Sequence, residues 1–131
     1  LGFIDHKQFL YIKERKDNMI NVSGENIYPS DIENYIAKYS KIKLGIVSSI
    51  PDEITQNKLV LVYEGKKINE LYLIDYLSKY VSKFKIPKII VTCKDINLKE
   101  IPKAPNKKIL RTKLREQLIK NLSLLKKFSK F

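Results

Sequence analysis

The 131 residues contain one cysteine, one histidine and no tryptophan. A lone cysteine excludes an intramolecular disulfide and a thiolate metal cluster. Cys93 stands in the apolar run "IIVTC", where a packed strand residue is expected, and nothing beside it in sequence would activate a nucleophile. His6 has no second histidine with which to form a metal or acid/base pair, so it reads as a surface residue and no metal site is expected. No run approaches the roughly 18 apolar residues of a membrane span, and no secretory leader opens the chain. A cytoplasmic protein is the default expectation. A Gly/Ser/Thr-rich phosphate loop is also missing, so no nucleotide-dependent catalysis is expected of this chain by itself.

Arginine is scarce as well. Arg15, Arg111 and Arg115 stand against 23 lysines. Readers of DNA sequence rely on the planar arginine fork, whereas lysine attracts phosphate without reading sequence. The net charge of +12 is therefore weak support for a nucleic-acid module, and no specific nucleic acid is expected as partner. The charge is also uneven. Residues 99 to 131 hold 11 basic and 2 acidic side chains, against 15 and 12 in the first 98.

What is present suits one globular domain with a core of its own. "FLYIKE" and "NMINVSG" read as two strands of a hairpin around the polar break "RKDN". Ser30 and Glu33 have the spacing of a capping box, ahead of a helix carrying Ile32, Tyr35, Ile36 and Tyr39. "KLGIVSSI", ended by Pro51-Asp52, and "NKLVLVYE" are apolar strands. Asn69 caps a helix over "ELYLIDYLSKYVSKF" with Leu71, Ile74, Leu77 and Val81 on one face, and "KIIVTC" is a further strand. A last helix begins near Ile109 and runs through Leu114, Leu118, Leu122 and Leu125. This order predicts a small α+β domain: a β-hairpin, a short mixed sheet and three helices packed on it.

Three stretches in fixed order carry a more specific signal. They are "RKDNMINVSGENIYPSDIE", "SSIPDE" and "IPKAPNKKILRTKLR". Together they resemble the C-terminal domain of the AMP-forming acyl-CoA synthetases, the superfamily that also holds peptide-synthetase adenylation domains and luciferase. The start "LGFIDHKQFLYIKERKDN" looks like the family's "GDxGxxDxxGYLxIxGRxKD" entry into that domain, with Glu14 in place of a common glycine. The resemblance covers residues 1 to about 118, leaving 119–131 as a basic helical extension. Membrane contact by that tail is disfavoured against a frayed helix end.

The resemblance implies a ligase that uses ATP, coenzyme A and Mg2+ to join a carboxylic acid to a thiol through an acyl-adenylate, as in fatty acid metabolism. It implies a large N-terminal domain as partner, over which this lid closes in two poses. No cofactor is expected on the isolated lid. Aligning "PNKKILR" on the family's "PxxxxGKIxR" puts the adenylation lysine at Lys108, with Lys107 on the glycine position and as second choice. A fixed ammonium there would offset charge built up at the α-phosphate. Asp17 falls on the hinge and Arg15 on a nucleotide contact, although Arg15, Lys16 and Asp17 also suit an ordinary charged turn. Gly24 matches the glycine beside the pantetheine arm, or is a plain turn glycine. Phe84 and Lys85 match a stretch near the CoA nucleotide, or simply end a helix. Within the family, loading of a carrier protein is the alternative to free CoA.

Overall fold

In the computed structural model, which describes residues 19–128, two nine-residue strands form the backbone of the sheet. The element order is β1 (Ile20–Val22), β2 (Glu25–Ile27), α1 (Pro29–Ala37), β3 (Leu44–Asp52), β4 (Gln56–Glu64), α2 (Glu70–Ser78), β5 (Ile89–Thr92), α3 (Arg111–Lys120) and α4 (Leu122–Leu125). Single 3-10 turns lie at Lys83–Lys85, Lys94–Ile96 and Lys126–Phe128. β3 and β4 pair antiparallel from Leu44↔Glu64 to Asp52↔Gln56, and β5 runs parallel to β4 from Val60↔Ile89, giving the order β3-β4-β5. β1 and β2 form a separate antiparallel ribbon.

Strand parity builds two cores. Val47, Leu59, Leu61, Tyr63 and Ile90 pack with Ile32 and Ile36 of α1 and Leu73 and Leu77 of α2. Ile46, Ile50, Val60, Val62, Ile89 and Val91 pack with Leu114 and Leu118 of α3 and Leu125 of α4. Both faces are covered, which is why β4 and β5 read as continuous apolar runs rather than as alternation. Gly45 lets α1 approach closely: a Cβ there would lie 2.7 Å from Ile36 Cγ2. The α+β class follows as expected from the order of elements.

Ile20–Val22 pairs with Glu25–Ile27, while "FLYIKE", the expected hairpin partner of "NMINVSG", lies outside the described residues. Three local expectations need correction. β3 runs through Pro51 to Asp52, because Pro51 stands on the edge strand where its missing N–H costs no ladder bond. α2 stops at Ser78, and Leu73 and Leu77 are its buried pair; Leu71 is 71% exposed. The last helix breaks at Asn121, whose buried side chain donates to the Gln117 carbonyl and the Ile96 carbonyl and accepts from Asn97 Nδ2. Asn69 caps α2 as read, accepting from the Leu71 and Tyr72 N–H groups.

Candidate functional site

The lysine stretch folds as a small two-based loop. Lys103 and Ile109 form a β-bridge, Ala104 N–H donates to the Lys108 carbonyl at 2.8 Å, and Lys107 N–H returns to the Ala104 carbonyl at 2.7 Å. Residues 105 to 107 are thus a three-residue hairpin loop, and its last residue, Lys107, has φ +69°. That is the bulge position at which such loops prefer glycine. Asn106 Oδ1 accepts the Lys108 N–H at 3.1 Å and braces the tip. Lys107 and Lys108 are both exposed, and neither has a carboxylate within ion-pair distance among the described residues.

The base of the loop is fastened by Glu64, at the end of β4. Its Oε2 accepts the Ile101 N–H and the Lys103 ammonium, both at 2.9 Å. Burial alone would raise the Glu64 pKa, but these two donors together hold it below the ordinary carboxylate value. Behind the loop, Arg111 opens α3 and reaches Glu33 on α1 with both terminal nitrogens, Nη2–Oε1 at 2.6 Å and Nη1–Oε2 at 2.9 Å. Glu33 Oε2 also accepts the Val47 N–H at 2.8 Å, on the free side of edge strand β3.

Glu33 is therefore not a capping-box partner. α1 begins at Pro29 with Tyr28 as N-cap and no side-chain cap bond, so Ser30 is the second helical residue, two positions past the cap. The proline takes the first helical position and leaves the Glu33 carboxylate free for the edge of the sheet. The opening of α3 also borders a shallow cavity of about 290 Å3, shared with Ile20, Pro29, Ser48, Thr112 and Arg115.

Gly24 lies in the two-residue turn between β1 and β2. Ser23 at φ +53° and Gly24 at φ +86° are both left-handed, as a type I′ turn requires. The turn glycine thus has a backbone reason. A Cβ on Gly24 would meet nothing of this chain within 4 Å, so the space beside it is open. The ribbon docks on the β3–β4 turn through Ser23 N–H to the Thr55 carbonyl at 2.8 Å and Asn57 Nδ2 to the Asn21 carbonyl at 2.9 Å.

Phe84 and Lys85 form the 3-10 turn leading to β5; Phe84 is 55% exposed. Lys88 N–H donates to the Leu59 carbonyl, so this segment enters the sheet near the β3–β4 turn. Gly24 and the Phe84–Lys85 turn therefore lie towards one end of the sheet, and the base of the lysine loop is fastened at the other, at Glu64. Nine residues of β4 separate the two ends, about 26 Å at strand rise. Arg15 and Asp17 lie outside the described residues. Cys93 is buried, and burial, aided by the nearby Glu64 charge, pushes its thiol up to about 11, which fits an inert packed side chain. Among the described residues, no group of His, Cys, Asp or Glu could hold a metal ion, and no helix is long and apolar enough to cross a membrane.

No family model matches the chain. Among curated proteins it is 32% identical over 117 residues to a 2-succinylbenzoate–CoA ligase of Bacillus cereus, covering 88% of this chain and 23% of that protein. It is 34% identical over 119 residues to the long-chain-fatty-acid–CoA ligase FadD13 of Mycobacterium tuberculosis, covering 89% and 23%. The chain thus spans about a quarter of the length of the curated relatives it matches. Among solved structures, a Mycobacterium tuberculosis fatty acyl CoA synthetase superposes with a TM-score of 0.69 at 29% identity, over 77% of this chain and 20% of that one. The o-succinylbenzoate CoA synthetase of Bacillus subtilis, in complex with its acyl-adenylate intermediate, gives 0.68 at 25%, over 76% and 20%. Sequence and fold agree over the same stretch: the chain belongs to the AMP-forming acyl-CoA synthetases, in the part that corresponds to their C-terminal domain.

Proposed function

We propose that this chain is the lid of an AMP-forming acyl-CoA ligase and that Lys108 is its adenylation lysine. A larger N-terminal domain would bind ATP and the carboxylic acid, and residues 119–131 would extend the lid as a basic helical tail. The observation that carries the lysine choice is the left-handed backbone of Lys107. In the family pattern a glycine precedes the lysine, and the bulge position of the loop is where a glycine fits best. With Lys107 on that position, Lys108 is the lysine. Its exposed ammonium, without a carboxylate partner among the described residues, suits an anionic phosphate. Opposite the α-phosphate it would stabilise charge that develops as the carboxylate attacks.

The second half-reaction would use the other end of the sheet. Gly24 borders open space through which a pantetheine arm could run, and Phe84 and Lys85 would meet the CoA nucleotide. The placement of Gly24 beside the β3–β4 turn and of the lysine loop's entry at Glu64, at opposite ends of β4, supports a lid that must turn between steps, with the hinge at Asp17 and a nucleotide contact from Arg15. Mg2+ would be held by substrate phosphates and by the rest of the enzyme. The names of the relatives favour free CoA over a carrier-bound thiol as acceptor. In the full-length ligase, Lys108→Ala should depress ATP–pyrophosphate exchange by at least about a hundredfold, the scale of one lost electrostatic donor. Thioester formation from preformed acyl-adenylate should persist. Equal loss in both half-reactions, or none in either, would overturn the assignment.

A further inference from the structure

We infer that Glu33 and Arg111 act as a positioning pair for the lysine loop, a role that rests on the assignment of Lys108 above. Three observations converge on it. Arg111 is three residues beyond Lys108 and is the first residue of α3, so its anchorage sets how the loop leaves the helix. α3 begins without a side-chain cap and without an acidic residue in its first turn, so helix-end chemistry does not hold it there. Its first residue is fastened by the fork-on-fork contact with Glu33 at 2.6 and 2.9 Å, beside the Leu110 N–H to Pro102 carbonyl bond at 2.9 Å and the core packing of Leu114 and Leu118.

Glu33 in turn cannot shift freely. Its Oε2 accepts the Val47 N–H of β3, and its helix is seated on the sheet through Ile32 and Ile36, both fully buried. The carboxylate thus ties three elements at one point: α1 on one face, α3 on the other and the sheet edge between them. A bidentate arginine fixes both distance and plane, which a lysine at the same place would not. The loop is then held at two bases, Glu64 at its entry and Arg111 at its exit, and Lys108 projects between them. Glu33 also lies in the helix that directly follows the Gly24 ribbon, so the pair couples the segment used in one step to the segment used in the other.

The test uses the full-length ligase with Arg111→Lys, Glu33→Gln and the double variant. Each keeps a donor or an acceptor in place while removing the rigid charged fork. Each single variant should lower kcat for adenylation about tenfold or more, with KM for ATP and thermal midpoint little changed, as expected for a misplaced rather than missing group. The double variant should be no slower than the worse single, because the two residues act as one unit. A fall in thermal midpoint with kcat retained would mean a purely structural ion pair and overturn the inference, as would losses that multiply. If Lys108→Ala leaves adenylation intact, the underlying assignment fails; if it abolishes adenylation while these variants retain it, the positioning role alone fails.

Discussion

Lys107 and Gly24 both hold left-handed backbone, and one of them carries a side chain there. A non-glycine residue in that region costs about 1–2 kcal/mol, and glycine returns part of the gain through greater unfolded-state freedom. Lys107→Gly should therefore stabilise the 131-residue chain by about 0.5 kcal/mol in urea unfolding, and adenylation by the full-length ligase should be retained. Loss of adenylation in that variant would move the catalytic role to Lys107. At Gly24 the turn and the proposed passage can be separated. Asparagine tolerates left-handed backbone, so Gly24→Asn should leave the thermal midpoint nearly unchanged while obstructing the space beside it. Slower thiolation with unchanged adenylation is the expected result; unchanged thiolation would leave the glycine with its turn role alone.

At the scale of elements, the contact between α1 and β3 is the tightest constraint on the site, because Glu33 must reach Val47 N–H and Arg111 together. Gly45→Ala would drive a methyl into Ile36 and Leu61, at 2.7 and 3.2 Å, and push α1 off the sheet. Overpacking of this kind costs about 1–3 kcal/mol, read as a drop in the urea midpoint. The break between α3 and α4 has a similar local cause. Asn121 trades helix continuity for bonds to the Ile96 and Gln117 carbonyls. Leucine spacing alone read through this break, since 118, 122 and 125 keep one face apolar whether or not the helix is continuous. The same blindness to side-chain bonding produced the capping-box reading of Ser30 and Glu33: the spacing fits, but the helix starts at Pro29, two residues before a cap at Ser30 would start it.

For the whole molecule, acid stability depends on carboxylates held by the fold. Asp52 is kept below its ordinary value by the Thr55 N–H and hydroxyl in the β3–β4 turn. Glu64 is kept below its own by Ile101 N–H and Lys103, against the opposing effect of burial. For groups with a depressed folded pKa, the stabilisation is present above the unfolded value, about 4, and is lost as pH falls through the folded value. Unfolding free energy should hence be flat near neutrality and fall below about pH 4. Glu64→Gln should make that acid limb shallower; a limb of unchanged steepness would show that the Glu64 anchor contributes little. Exposure of Phe84 and of Leu71 and Tyr72 leaves apolar side chains outside both cores, as a domain with further contacts in a longer enzyme can carry.

Residue order by itself determined the class of fold, the apolar strands 44–50 and 57–64, the cap at Asn69 and the family to which the chain belongs. Those features are local in sequence: periodicity, a capping side chain and short motifs at fixed distances. Tertiary structure alone brought the Glu33–Arg111 ion pair together. Glu33 and Arg111 are 78 positions apart, and the local patterns that hold them, a capping-box spacing and the "KILR" motif, say nothing of their pairing until α1 and α3 close on the same edge of the sheet. It also decided how the two candidate sets are disposed, because strand pairing sends the Gly24 ribbon and the Phe84–Lys85 turn towards one end of β4 and the base of the lysine loop to the other. Between two adjacent lysines, the family pattern already preferred Lys108, and the left-handed backbone of Lys107 is consistent with that preference. A side chain identity carries no torsion angle, and φ +69° at Lys107 follows from closing a three-residue loop between Lys103 and Ile109.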